Sequence, residues 1–518
     1  MSYVGETYQM PFDTSGMNFN QNIDKIPPNA MVLARNVSLH EGGVGTRGGT
    51  QKDNSTVVTG APDIRGLYHF RLISGTDFKV FGTSAGELFK NSTTTIKTGM
   101  STANKFWFET FENTLYIVDG DTAPQTWDGS AAGTSNITTA ATDWSGSNQP
   151  DQIIKHGRGV SERLWAKGVA SQPGTIYYSD LGNGQDFLNG TAGRVVIDTG
   201  DGFGIVGIIE FGDQLFAFGR NRTWIVDDRS VNTVEWGYEA APWTGGVANH
   251  RLLVKTENDL YAMMEDGEIY SVKAAQFNGD YKKASLVRPA FIDRYIRTNV
   301  KLSAFEDFHA RYDPETRAIK WFVVRAGETE VDTALVYFID RPPELAWTIH
   351  DNQDYNSGYS ACSSALVRQA AGNYEVWTGD YSGFLWRLEQ ANANDDSNAF
   401  YNGFRIPNTH YGNPRTTKHF RRGRLVTEPK GAYSLNVAWW VDGAAQTTQT
   451  VSLAGTGSVF GTGLFGTATF GGEDLIDSSY DLGQVGKRIQ KEFYLNTVNQ
   501  EFFLSADLTD FKPLGVAP

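Results

Sequence analysis

The chain is poor in cysteine, in long apolar runs and in positive charge. A single cysteine, Cys362, excludes any intrachain disulfide and suits folding in a reducing compartment. No apolar stretch approaches the ~18 residues that a membrane span requires, so no membrane insertion is expected. The first residues, "MSYVGETYQMPFDTSGMNFNQN", are polar and lack the charged-then-apolar pattern of a signal peptide. Basic residues are outnumbered, giving a net charge of −14. That balance argues against a protein that grips nucleic acid by its phosphates. It suits a surface past which DNA slides without sticking, as well as plain solubility.

The motifs of common chemistry are also missing. There is no G-x-x-x-x-G-K-[ST] and no H-E-x-x-H, and the eight histidines are dispersed. "GVGTRG" (43–48) spells G-x-G-x-x-G, but the residues after it carry no helical period, so its glycines are read as turns between short strands. "DGDTAPQTWDG" (119–129) begins like a calcium loop, yet Ala123 stands where an oxygen ligand is needed and no Glu closes it; a hairpin turn is expected. Cys362 has no recognisable His partner and reads as a small buried residue. No catalytic, metal or cofactor residue is assigned.

What is abundant is glycine, with 56 residues, and aromatic side chains, at 13%. Together with many Thr and Val they favour short strands and tight turns. The chain restates one design: an apolar alternation, a polar turn, then a second alternation rich in aromatics. Leu115-Tyr116, Leu164-Trp165, Leu215-Phe216 and Leu260-Tyr261 mark successive copies. The copies recur at roughly 40–50 residues, the size of a four-stranded propeller blade. The fold class is therefore mainly β: a β-propeller of about six to eight blades plus a C-terminal antiparallel β-domain. Residues 1–60 are expected to form an N-terminal segment with a short helix and strand. Residues 61–400 hold the propeller repeats, with room for seven and with a rim helix near 287–300. The polar, turn-rich stretch 401–416 reads as a linker, and 417–518 as the C-terminal domain. A propeller glycoside hydrolase would hold two or three carboxylates at the propeller axis. Within 418–424, Arg421, Arg422 and Arg424 form the densest basic patch, either a solvated strand face or a dock for an acidic neighbour.

"NAMVLARNVSLHEGGVGTRGGTQK" (29–52) resembles the N-terminal signature of phage tail proteins of the nozzle or tail-hub type, as found in short-tailed bacteriophages. The matching residues are Asn29, Ala30, Arg35, Asn36, Gly42, Gly43, Arg47 and Gly48. Tyr312, Trp321, Tyr337 and Trp347 stand in a stretch similar to one of their blades, and "GTGLFGTATFGG" (461–472) resembles a turn of their C-terminal module. The resemblance implies a non-enzymatic virion protein assembled in the host cytoplasm. It would be a homo-oligomer, most often a hexamer, that continues the DNA exit channel below the portal and the tail adaptor, or head-to-tail connector. It would retain the genome and support tail fibres or spikes, with DNA passing through without specific binding. The apolar residues Phe460, Leu464, Phe465 and Phe470, with Arg421, Arg422 and Arg424, are the expected assembly contacts. A receptor- or glycan-binding propeller and a propeller glycoside hydrolase are the alternative readings.

Overall fold

The computed structural model describes residues 5–12, 16–20, 26–40, 42–91, 93–157, 161–352, 357–454 and 475–516. The described residues form seven radial β-units, at 64–98, 107–136, 152–196, 207–240, 253–271, 309–351 and 363–390. Each is an antiparallel run of neighbouring strands, blades 1 to 7 in chain order. The first strands of consecutive blades adjoin, and that of blade 7 adjoins that of blade 1, so the ring closes. The chain is a seven-bladed β-propeller joined to a β-sandwich.

The repeated Leu-aromatic pair holds the ring together. It lies on the second strand of blades 2 to 5, where neighbouring side chains point to opposite faces. Leu115 packs into the core between blades 1 and 2, while Tyr116 packs between blades 2 and 3. Leu164 joins that second core and Trp165 the next. Leu215 and Phe216 repeat the arrangement one blade further on. Val376 and Trp377 do the same in blade 7. One dipeptide therefore fills two inter-blade seams, and all of these side chains are almost fully buried. Burying a Leu or an aromatic ring contributes about 1.5–3 kcal/mol.

Blade 5 has three strands. After Ile269–Ser271 the chain enters helix α1 (Val272–Asn278), capped by the Ser271 hydroxyl, and a bridge from Tyr270 to Ser285 stands in for a fourth strand. Helix α2 (Ile292–Asn299) follows, within the stretch where a rim helix was expected; it buries Ile292 and Ile296.

The N-terminal segment carries the expected strand structure and is woven into the rest of the fold. Its described residues contain no helix. They form strands β1 (Glu6–Pro11), β2 (Leu33–Arg35), β3 (Val37–His40), β4 (Gly43–Thr46) and β5 (Gly49–Lys52), each paired with a distant part of the chain or with its immediate hairpin partner. β5 is the outer strand of blade 7, with Lys52 opposite Trp386. The last blade is thus completed by residues that precede the first, which ties the ring shut.

The stretch 401–416 is likewise not a linker: it carries β6 (Asn402–Arg405), three of whose four residues are buried. The remaining strands are β7 (Thr416–Thr427), β8 (Ser434–Val441), β9 (Gln449–Ser452), β10 (Ile476–Gly486), β11 (Ile489–Leu495) and β12 (Phe503–Val516). One sheet of the sandwich runs β3-β4-β12-β7-β10, with β1 also on β12. The other runs β2-β6-β11-β8, with β9 and the two-residue strand Ala444–Ala445 on β8, and it is continuous with blade 6 through a parallel pairing of Arg35 with Ile349. A single ten-stranded sheet therefore crosses from propeller to sandwich. Between the two sandwich layers Phe12 packs edge-on against Phe404 at 5.0 Å, and the buried pair Lys491–Asp507 closes at 2.6 Å.

Candidate functional site

The residues that carry the N-terminal resemblance meet at the junction of propeller and sandwich. Arg35 Nε donates to both carboxylate oxygens of Asp351, at 2.9 and 2.8 Å. Asn36, with φ 54°, accepts at its side-chain oxygen from the Asp351 N–H and from Arg47 Nε, both at 2.9 Å. Its amide nitrogen donates to the Tyr401 carbonyl at 2.9 Å. Arg47 is fully enclosed; it forms a two-pronged pair with Asp395 (3.1 and 2.8 Å), and its guanidinium lies 3.9 Å from the Phe400 ring centre and 4.7 Å from that of Tyr359. Asp395 raises the Arg47 pKa against the desolvation that would lower it. Glu389 is held well below the carboxylate range: burial alone would raise it, but Lys320, His350 and Arg47 outweigh that.

The glycines beside this clasp are fixed by close approach. A Cβ on Gly48 would lie 2.5 Å from the Glu389 Cα, and one on Gly49 would lie 2.0 Å from the Asn394 carbonyl oxygen. Gly43, Gly48 and Gly49 are therefore packed against backbone, and Gly43–Thr46 is a strand of a hairpin and not the turn into a helix that a dinucleotide site uses. Asp119, in the calcium-like stretch, accepts from the N–H groups of Ser101, Asp121 and Thr122 at 2.7–3.0 Å, as a turn residue does.

The arginine cluster lies on β7, on the outer face of the sandwich. A bulge at Arg421 breaks the alternation: Phe420 and Gly423 are buried, and the two arginines between them are both exposed. Arg422 faces Asp481 at 3.7 Å, and Arg424 faces Asp477 and Asp510 at 3.4 and 3.5 Å. Arg421 has no carboxylate partner among the described residues. The three line one groove of about 770 Å³ with Glu6, Asp481 and Asp510. Most of the patch is thus a cross-strand ion ladder with its own acids. Phe460, Leu464, Phe465 and Phe470 lie outside the described residues.

The propeller axis carries an arrangement that the sequence does not announce. The first strands of six blades place Tyr68, Glu109, Lys155, Glu210, Lys255 and Arg311 around it, in blade order. From Glu109 to Lys255 the sign alternates. Glu210 and Lys255 are 3.4 Å apart. Burial pushes the Glu109 carboxyl up to about 7, against the opposing pull of the Thr110 N–H and Lys155. Burial likewise lowers Arg311, to about 10. Each charge is one isolated residue in its own repeat, so only the ring closure brings them together. Toward the other end of the axis Lys105 bonds Cys362 Sγ at 2.9 Å and pairs with Asp307 at 3.4 Å. Burial, the larger effect, raises the Cys362 thiol, which is the opposite of an activated nucleophile. Among the described residues no cluster of His, Cys, Asp and Glu has the makings of a metal site.

No family model and no curated protein matches the sequence. Solved structures are similar in fold at low identity. The Neurospora crassa Pan2 WD40 domain aligns at 8% identity and TM-score 0.36, over 66% of this chain and 95% of its own. YCF48 from Cyanidioschyzon merolae gives 10% and 0.37, over 66% and 98%. BBS1N in complex with ARL6DN, soaked with mercury, gives 10% and 0.41, over 67% and 99%. The seven-bladed ring rests on the strand pairings themselves.

Proposed function

We propose that the chain is a structural subunit of a bacteriophage tail, a nozzle or hub protein that forms a ring, six copies in the expected form, around the DNA exit path. One observation carries the reading. Arg35, Asn36, Arg47 and Gly48, four of the residues on which the resemblance rests, sit in the clasp that fuses propeller to sandwich, Asn36 and Arg47 buried and the other two partly so. Their role is architectural, as a resemblance among assembly proteins requires. A propeller locked to a sandwich by a continuous sheet transmits force without a hinge between them. Between copies, a −14 subunit would present an acidic wall along which DNA moves with little adhesion. The conduit would lie among the copies and not along the propeller axis, where the cavity is about 240 Å³. Adaptor proteins above and fibres or spikes below are the expected partners, and the virion tail is the expected location.

Electron microscopy and mass photometry of the purified chain, alone and with a cognate adaptor, test the proposal. Closed rings in either preparation are expected; monomers in both would overturn it. The hydrolase alternative has one feature in its favour, the axial Glu109 with its raised pKa, the property of a general acid. Release of reducing sugar from a polysaccharide, abolished in Glu109→Gln, would replace the structural reading with that one.

A further inference from the structure

The cavity on the propeller axis holds one guanidinium, that of Arg311, that no carboxylate neutralises among the described residues. It measures about 240 Å³ and is walled by Tyr68, Trp107, Phe108 and Leu253, with Arg251, His309 and Arg311 reaching it from blades 5 and 6 and their approach. Arg311 donates one Nη to the Ser364 carbonyl at 2.7 Å. Its Nε is enclosed and unbonded, and no carboxylate pairs with it among the described residues. His309 is 4% exposed, its ring stacked on Phe322 at 4.7 Å; among the described residues neither ring nitrogen makes a well-formed hydrogen bond, and the Asp307 backbone is the polar group beside it. Arg251 donates to the carbonyl of Glu306, and the carboxylates of Glu306 and Asp307 lie near it. The other charges that face the cavity are Arg65, which Asp63 neutralises at 3.1 Å, and Glu109.

A partly buried guanidinium without a counterion and a buried imidazole without a well-formed hydrogen bond are both unfavourable and are relieved by a partner that supplies acceptors. A planar guanidinium fork matches the geometry of an oxyanion, and aromatic walls that exclude water strengthen the attraction. We propose that this cavity is a binding site for a small oxyanion, a carboxylate or a phosphate group, held by Arg311 and Arg251 with one N–H of His309. The volume admits a molecule of a few carbon atoms bearing that group and excludes a polymer. Glu109 lies at the same wall; an anion beside it favours its protonated form, which then serves as a further donor. The site is independent of whether the chain forms a ring.

Isothermal titration of the full-length protein with inorganic phosphate and, separately, with malonate, at an ionic strength matched with potassium chloride, tests it. Saturable one-site binding of at least one probe is expected. Phosphate alone assigns the site to phosphate groups, and malonate alone to carboxylates. Arg311→Met should weaken that binding at least tenfold, while Arg422→Met, on the outer sandwich face, leaves it unchanged. Hydrogen exchange of the wild-type protein gives a second measurement should Arg311→Met fail to fold: the bound probe should protect 105–111 and 307–313. No saturable heat with either probe, equal affinity in Arg311→Met, or protection confined to the outer sandwich strands would overturn the proposal.

Discussion

The seams between blades and the junction between propeller and sandwich both have apolar cores and differ in the buried charges set into them. Between blades 2 and 3 the contact is apolar throughout its centre, with Leu164, Tyr116, Ile153 and Trp144 in one cluster. At the junction an apolar cluster also runs through, with Ala34, Val37, Ile349 and Phe404 together, but buried ion pairs are set into it: Arg35 with Asp351 and Arg47 with Asp395. A seam repeated around a ring needs no specificity beyond shape, because every blade meets a similar neighbour. The junction is made once, between strands hundreds of residues apart, and its buried charges have one arrangement in which all are satisfied. Buried ion pairs are a poor source of stability but a strong penalty against wrong pairing. The contrast teaches that the propeller is secured by area and the two-part body by area and, through its ion pairs, by register.

Arg47→Met attacks the junction most directly. It leaves Asp395 buried without its cation, for a loss of about 3–5 kcal/mol in chemical denaturation. Leu164→Ala attacks a seam, and by the cavity it opens should cost about 2–5 kcal/mol. If the seam variant proves far more damaging than the junction variant, the proposed division of labour is wrong.

The charged ring on the axis sharpens the contrast through pH. The folded-state pKa of Glu109 is raised from 4.5 to about 7, so the folded protein holds a proton that the unfolded chain has released across that interval. Its contribution to stability is therefore fully present below pH 4.5 and is lost as pH rises to 7. Glu109→Gln should match the wild type at pH 4.5 and be more stable at pH 8, read from paired denaturation curves; an equal difference at both values would place the carboxyl in water. The smallest effect belongs to the exposed ladder. Arg422→Ser, facing Asp481 at 3.7 Å, should shift stability by less than about 0.5 kcal/mol, and a larger change would give the ladder a structural role.

The same division decides what could be read in the sequence. The seams were legible because each is written locally: a Leu-aromatic dipeptide on a strand of period two, restated blade after blade. The glycines at 43–48 were legible as turns because no helical period follows them. β5 was not legible as part of blade 7, since its partner Trp386 lies in the last repeat and four residues carry no pairing information. β6 hid in a polar stretch because a four-residue strand in the middle of a sheet needs few apolar side chains when its neighbours supply the contacts. The bulge at Arg421 is a backbone event that puts two adjacent arginines on one face, and composition shows only the patch. The axial charges are single residues that meet through closure of the ring.

Scanning calorimetry of the wild-type protein and of Arg47→Met tests most directly the claim that the buried clasp makes propeller and sandwich one body. A single cooperative transition is predicted for the wild type, splitting into two in the variant as the two parts unfold independently. Two transitions in the wild type, or one unshifted transition in the variant, would contradict it.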